Sequence, residues 1–197
     1  MDTIRTFVAV ELPAEIRKRL ADTQAQLRGF MGGAEKAVRW SRADGVHLTL
    51  QFLGDVPPGS IEAILGGARA GCVGTSPIQL VLGGVGAFPT IQKPRVLWLG
   101  LAGDTGRLQT LQTSIAKQLG ALGYQPDKPF KPHITLGRVR DVVTRDELAA
   151  ISQALQQVGS QPVAPTSFTA REVSLMKSDL QPAGAVYRAL GVVELGG

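Results

Sequence analysis

Several strand-like segments in this 197-residue chain follow one another too closely to be joined by a crossover helix, and this spacing constrains the fold most. Val38–Trp40 and His47–Leu53 are separated by a short loop, as are Phe168–Met176 and Ala185–Leu195. Parallel neighbours need a connection of about a dozen residues or more, usually a helix, whereas antiparallel ones need only a turn. Helical patterns are interspersed among these strands, so the expected class is α+β with antiparallel sheets and not a doubly wound parallel fold.

The elements read as follows. Arg5–Leu12 is β-rich and ended by Pro13, and a helical pattern runs from Ala14 to about Arg28 with Ile16, Leu20 and Leu27 near one face. His47–Leu53 is a strand stopped by Gly54-Asp55, and Pro57-Pro58 opens a short helix through Ile61, Leu65 and Ala68. Strands at Ile78–Leu82 and Arg95–Leu101 precede a helix capped by Asp104, with Leu108, Leu111, Ile115, Leu119 and Leu122 at helical spacing. His133–Val139 is a strand. Thr144 with Glu147 forms a capping-box pattern for a helix bearing Leu148, Ile151, Leu155 and Val158. Gly83-Gly84-Val85-Gly86 lacks the Lys and following helix of a phosphate loop and matches no dinucleotide fingerprint, so it reads as a turn.

Composition narrows the class. With 44% hydrophobic and 19% charged residues the chain is globular, and its longest apolar run, near Leu80–Phe88, is too short to span a bilayer. The start, Met1-Asp-Thr-Ile-Arg5, lacks a signal peptide's basic region and long apolar core, so a cytoplasmic protein without membrane attachment is expected. The lone Cys72 can form no intrachain disulfide and reads as a small buried apolar residue. A net charge of +5 favours an anionic partner such as a nucleotide or RNA.

Both histidines of the chain stand in the same tetrapeptide, His47-Leu48-Thr49-Leu50 and His133-Ile134-Thr135-Leu136. On a strand, residues i and i+2 share a face. Each motif therefore shows an imidazole beside a hydroxyl, while Leu48, Leu50, Ile134 and Leu136 anchor the opposite face in a core. Two such strands facing across a cleft surround one small anion with two imidazoles and two hydroxyls. Histidine changes charge near neutrality, so one imidazole can act as general base and the other as general acid on opposite sides of a phosphorus atom. The threonine hydroxyls can donate to the non-bridging oxygens. No metal or cofactor is expected, because neither motif brings a carboxylate at a ligand spacing. The motifs are near-symmetric, and the residues alone leave open which histidine is acid and which base.

These motifs are accompanied by Arg5-Thr-Phe7-Val-Ala9-Val-Glu-Leu-Pro13, by Trp40 and Gln51-Phe52-Leu-Gly54, and by Phe88-Pro89 with Pro94-Arg-Val-Leu-Trp98. Phe130-Lys-Pro132 leads into His133, Gly137-Arg138 follows it, and the tail carries Val173, Leu175-Met-Lys177-Ser178, Pro182, Gly184 and Tyr187. Together they closely resemble the 2H phosphoesterases, in particular the bacterial and archaeal RNA 2',3'-cyclic phosphodiesterases, also called 2'-5' RNA ligases. The resemblance covers nearly the whole chain, residues 1–197 as one domain. It implies a bilobal α+β fold of two antiparallel sheets with outer helices, related by a pseudo-twofold axis, with one motif from each lobe and the active-site cleft between them. It also implies hydrolysis of a terminal 2',3'-cyclic phosphate of RNA to a 2'-phosphomonoester. By position, His47 matches the proton donor to the leaving O3', His133 the proton acceptor that activates water, and Thr49 and Thr135 the phosphate-binding hydroxyls.

Arg138 stands where the family carries an Arg that contacts the ligand phosphate. Strict alternation would place it on the core face, and a bulge at Gly137 would swing it to the cleft. Phe7, Trp40 and Tyr187 read as core aromatics in the first instance, and Arg5 and Lys177 as surface cations. Reversible 2'-5' RNA ligation, a related activity on a small cyclic nucleotide, and a non-catalytic RNA- or nucleotide-binding module are the alternatives. No obligate protein partner is expected, and a monomer suffices.

Overall fold

A computed structural model describes residues 2–161, 165–181 and 184–196. The elements run β1 (Ile4–Glu11), α1 (Ala14–Met31), β2 (Val38–Trp40), β3 (His47–Val56), α2 (Ile61–Cys72), β4 (Ile78–Pro89) and β5 (Pro94–Gly103). Then follow α3 (Thr105–Ala121), β6 (His133–Val139), α4 (Arg145–Gly159), β7 (Ser167–Ala170), β8 (Glu172–Gln181) and β9 (Gly184–Glu194). The expected class is the one found. Two all-antiparallel sheets form, one ordered β3-β1-β8-β9 and the other β2-β6-β5-β4-β7, with β3 in the first and β6 in the second.

The sheets share one core. Val8, Val10, Leu48 and Leu175 from the first sheet join Leu80, Leu97, Leu99, Ile134 and Leu136 from the second in a continuous apolar cluster with the helices. The helices supply Ile16, Leu20 and Leu27 of α1, Ile64 and Ala68 of α2, Leu111 and Ile115 of α3, and Ile151 and Leu155 of α4. Burial of these stripes, more than helix propensity, is what stabilises helices of this length. Where the sheets adjoin, β3 packs against β6. The buried Gln24 of α1 donates through Nε2 to the carbonyls of both Ser41 and Leu136, each at 2.8 Å, and Ser41 N also donates to the Leu136 carbonyl at 2.9 Å.

Four local expectations need correction. The Gly83–Gly86 stretch is no turn; it lies inside β4, with a register shift between Leu82 and Val85. Gly86 has to be glycine for another reason: a Cβ there would lie 2.3 Å from the Trp98 ring. β3 does not stop at Gly54 but continues to Val56, because Gly54 takes a φ of 75° that lets an irregularity pass. Phe168–Met176 is two strands in different sheets, broken at Arg171. Finally, Asp104 precedes α3 without a side-chain capping bond and instead ion-pairs with Arg107 at 3.5 Å. The capping box at α4 is present, with Glu147 N donating to Thr144 Oγ1 at 3.2 Å and Thr144 N to Glu147 Oε2 at 2.7 Å.

Candidate active site

Each histidine motif alternates as its strand requires. His47 and Thr49 are partly exposed while Leu48 and Leu50 are buried; His133 and Thr135 are partly exposed while Ile134 and Leu136 are buried. Because β3 and β6 occupy different sheets, each sheet contributes one motif where the two adjoin.

The two imidazoles are held alike. His47 Nδ1 lies 3.0 Å from the carbonyl of Gly45, and His133 Nδ1 lies 2.6 Å from the carbonyl of Lys131, in both cases the residue two before. A carbonyl can only accept, so Nδ1 of each ring carries the hydrogen, and Nε2 is left to take or give a proton. Desolvation by burial pushes His47 down to about 4, the bond to Gly45 opposing it. His133 is also lowered, first by burial and then by the nearby Arg138 charge, with the bond to Lys131 opposing. An anion placed beside these rings would raise both.

Aromatic packing fixes the rings. Phe7 is 2% exposed and stacks on the His47 imidazole with centroids 4.3 Å apart, while Tyr187 meets the same ring edge-on at 4.9 Å. On the other sheet, Phe88 meets His133 edge-on at 5.0 Å and packs on Trp98 at 5.3 Å. Trp98 lies directly opposite Thr135 in register and so on its face. Its indole spreads over Gly86 and Gly100, the latter opposite His133.

Arg138 is where a bulge puts it. The β5–β6 register pairs Trp98 with Thr135 but Leu97 with Gly137, leaving Leu136 as an extra residue. Leu136 and Gly137 are both buried, and Arg138 emerges exposed, close enough to His133 to act on it electrostatically. Arg39 of β2 stands directly opposite Arg138 and is exposed as well. Like charges in that relation are destabilising unless an anion lies between them.

The other sequence candidates separate. Trp40 is covered rather than open for stacking: Arg28 lies 4.9 Å over its ring, and its Nε1 donates to the Glu35 carbonyl. Lys177 is ion-paired with Asp179 at 2.9 Å and sits opposite the core-facing Thr6. Arg5 is exposed at the start of β1. Tyr187, read as core, is partly exposed at the His47 ring. Pro182 lies outside the described residues. Cys72 is buried, and burial pushes its thiol up to about 11. Among the described residues, no three His, Cys, Asp or Glu side chains come together as a ligand set, and no helix is long and apolar enough to cross a membrane.

Three neighbours of the motifs escape sequence reasoning. Arg39 needs the β2–β6 register to be seen. Phe52, 56% exposed, reaches the face of Phe7 only because of the irregularities in β3. Glu11 pairs with His47 across β1–β3, and its Oε1 accepts a 3.0 Å hydrogen bond from the fully buried Ser174. Alternation along Phe7, Ala9 and Glu11 was the one available signal for it.

The molecule is thus an α+β scaffold that presents one His-x-Thr strand from each of two antiparallel sheets. The chain matches the 2'-5' RNA ligase superfamily over residues 12–182 and belongs to that family. It is 33% identical to the RNA 2',3'-cyclic phosphodiesterase of Methanothermobacter thermautotrophicus, over 98% of this chain and 99% of that one. It is likewise 33% identical to the RNA 2',3'-cyclic phosphodiesterase of Archaeoglobus fulgidus, over 97% of this chain and the whole of that one. Among solved structures it is similar to LigT of E. coli complexed with 3'-AMP, with a TM-score of 0.71, 28% identity and full coverage of both chains.

Proposed function

We propose that the chain hydrolyses a terminal 2',3'-cyclic phosphate of RNA to a 2'-phosphomonoester, with His47 as proton donor and His133 as proton acceptor. The observation that carries this reading is the matched tethering of the two imidazoles, each bound at Nδ1 to the carbonyl two residues before it and so presenting Nε2. Thr49, Thr135 and Arg138 hold the non-bridging phosphate oxygens, and hydroxyl and guanidinium donors gain strength there as charge accumulates. Water attacks phosphorus from the His133 side while Nε2 of His133 takes its proton. The P–O3' bond breaks in line, and Nε2 of His47 gives its proton to O3'. The rings end with their charge states exchanged, and solvent resets them.

With an RNA 5'-hydroxyl in place of water, the same groups form a P–O5' bond as P–O3' breaks, giving 2'-5' ligation; water, being far more concentrated, favours hydrolysis. The test is turnover of an RNA oligonucleotide ending in a 2',3'-cyclic phosphate, in EDTA, with wild type beside His47→Ala and His133→Ala. The expected product is a 2'-phosphate, read by NMR, formed by wild type and lost at least about a thousandfold in either variant. Tight binding without turnover would make the chain a binding module. Activity only after metal addition would overturn the mechanism.

A further inference from the structure

A cavity of about 180 Å³ opens beside His47, lined among others by Glu11, Arg17, Arg42, Met176 and Tyr187. His133 is not among its walls. It is small for a whole nucleotide and of a size for one nucleobase. In-line chemistry says which part of the substrate it receives. The leaving oxygen is apical and next to the acid, so the ribose bearing it, with its base, lies on the acid's side of the phosphorus. With His47 as the acid, the terminal nucleoside is directed toward this cavity, and this inference rests on that reading.

The walls are chemically unequal. Tyr187 and Met176 give apolar surface. Arg42 and Asp44 satisfy each other, with Nε–Oδ1 at 3.2 Å and a second contact to Oδ2 at 2.9 Å. Glu11 differs: Ser174, fully buried beneath it, holds one carboxylate oxygen, and among the described residues no donor meets the other. The carboxylate is thus fixed in place with acceptor capacity directed to a ligand. We propose that Glu11, oriented by Ser174, reads the terminal base of the substrate and selects guanine. Guanine offers N1–H and an N2 amino group side by side to a carboxylate, and its O6 and N7 can accept from Arg17 of the same cavity. Adenine and cytosine offer one amino group, and uracil an N–H flanked by two carbonyls that a carboxylate repels.

The test is kcat/KM on the four nucleoside 2',3'-cyclic monophosphates for wild type, Glu11→Gln and Ser174→Ala. Wild type should favour the guanosine substrate over the uridine one by at least about tenfold, the scale of one good bidentate contact. Glu11→Gln should bring that ratio within about twofold by lowering the guanosine rate while the uridine rate rises, opposite changes that a folding defect could not mimic. Ser174→Ala should fall between. Equal wild-type rates for all four, or a guanine preference that survives Glu11→Gln, would overturn the proposal. Calorimetric binding of 2'-GMP against 2'-UMP reads the same cavity without turnover. A binding preference abolished by Glu11→Gln in a protein that hydrolyses none of the substrates would sink the proposed reaction and leave the base reading standing.

Discussion

In the proposed reaction His47 has to carry a proton at the start, yet its surroundings disfavour charge and hold it near 4. The conflict resolves if the phosphate itself supplies the counter-charge, so that substrate and proton arrive together. Two pH dependences follow. The profile of kcat/KM reports the free protein, in which His133 must be neutral and His47 protonated; both are lowered, so the maximum should lie below pH 6.5. Stability moves the other way. A histidine whose folded value is depressed stays neutral in the fold while the unfolded chain binds a proton, so stability is full above about pH 6.5 and declines on acidification toward 4. The loss for His47 is on the order of 3 kcal/mol. Urea unfolding between pH 4 and 7 should show it, and His47→Phe should flatten the slope; an unchanged slope would remove burial as its cause.

At the scale of elements, β4 and β5 build the floor beside His133 by leaving side chains out. Gly86 and Gly100 make room for the Trp98 indole, which lies on the face of Thr135. Gly86→Ala should force the indole aside. Overpacking of this kind costs about 1–3 kcal/mol, visible in chemical denaturation, and turnover should fall more than binding because Thr135 loses its neighbour. Full activity with lowered stability would confine Trp98 to a structural role. The motif strands were legible in the sequence because alternation of His and Thr with Leu and Ile is a local, period-two signal. The glycine run resembles a turn in sequence, because the reason for Gly86, the ring of Trp98, is distant along the chain. Arg138 lay between these cases: its alternation parity conflicted with its chemistry, and Gly137 named the place where a bulge resolves it.

For the whole molecule, the class of fold was legible because short connections such as the one between β8 and β9 leave antiparallel pairing as the option, although the short β2–β3 connection passes between the two sheets. What the sequence could not carry was juxtaposition between strands distant in the chain. Arg39 beside Arg138 and Glu11 beside His47 are products of sheet register; alternation along β1 gives Glu11 its face but not its partner. The facing arginines, in a chain of net charge +5, suit a polyanion more than a single nucleotide. Arg39→Ala should therefore weaken a cyclic-phosphate-ended oligonucleotide more than the mononucleotide. It should also reduce the slope of log affinity against log salt by about one. Equal losses on both ligands would confine Arg39 to the terminal phosphate.

The separation of the two imidazoles belongs to neither motif, since each rides on its own sheet. It is set underneath, where β3 rests on β6. The pair behaves as the jaws of a caliper whose pivot is the seam between those two strands. A change at that pivot would regrade which phosphorus centres fit, with every chemical group of the site left in place.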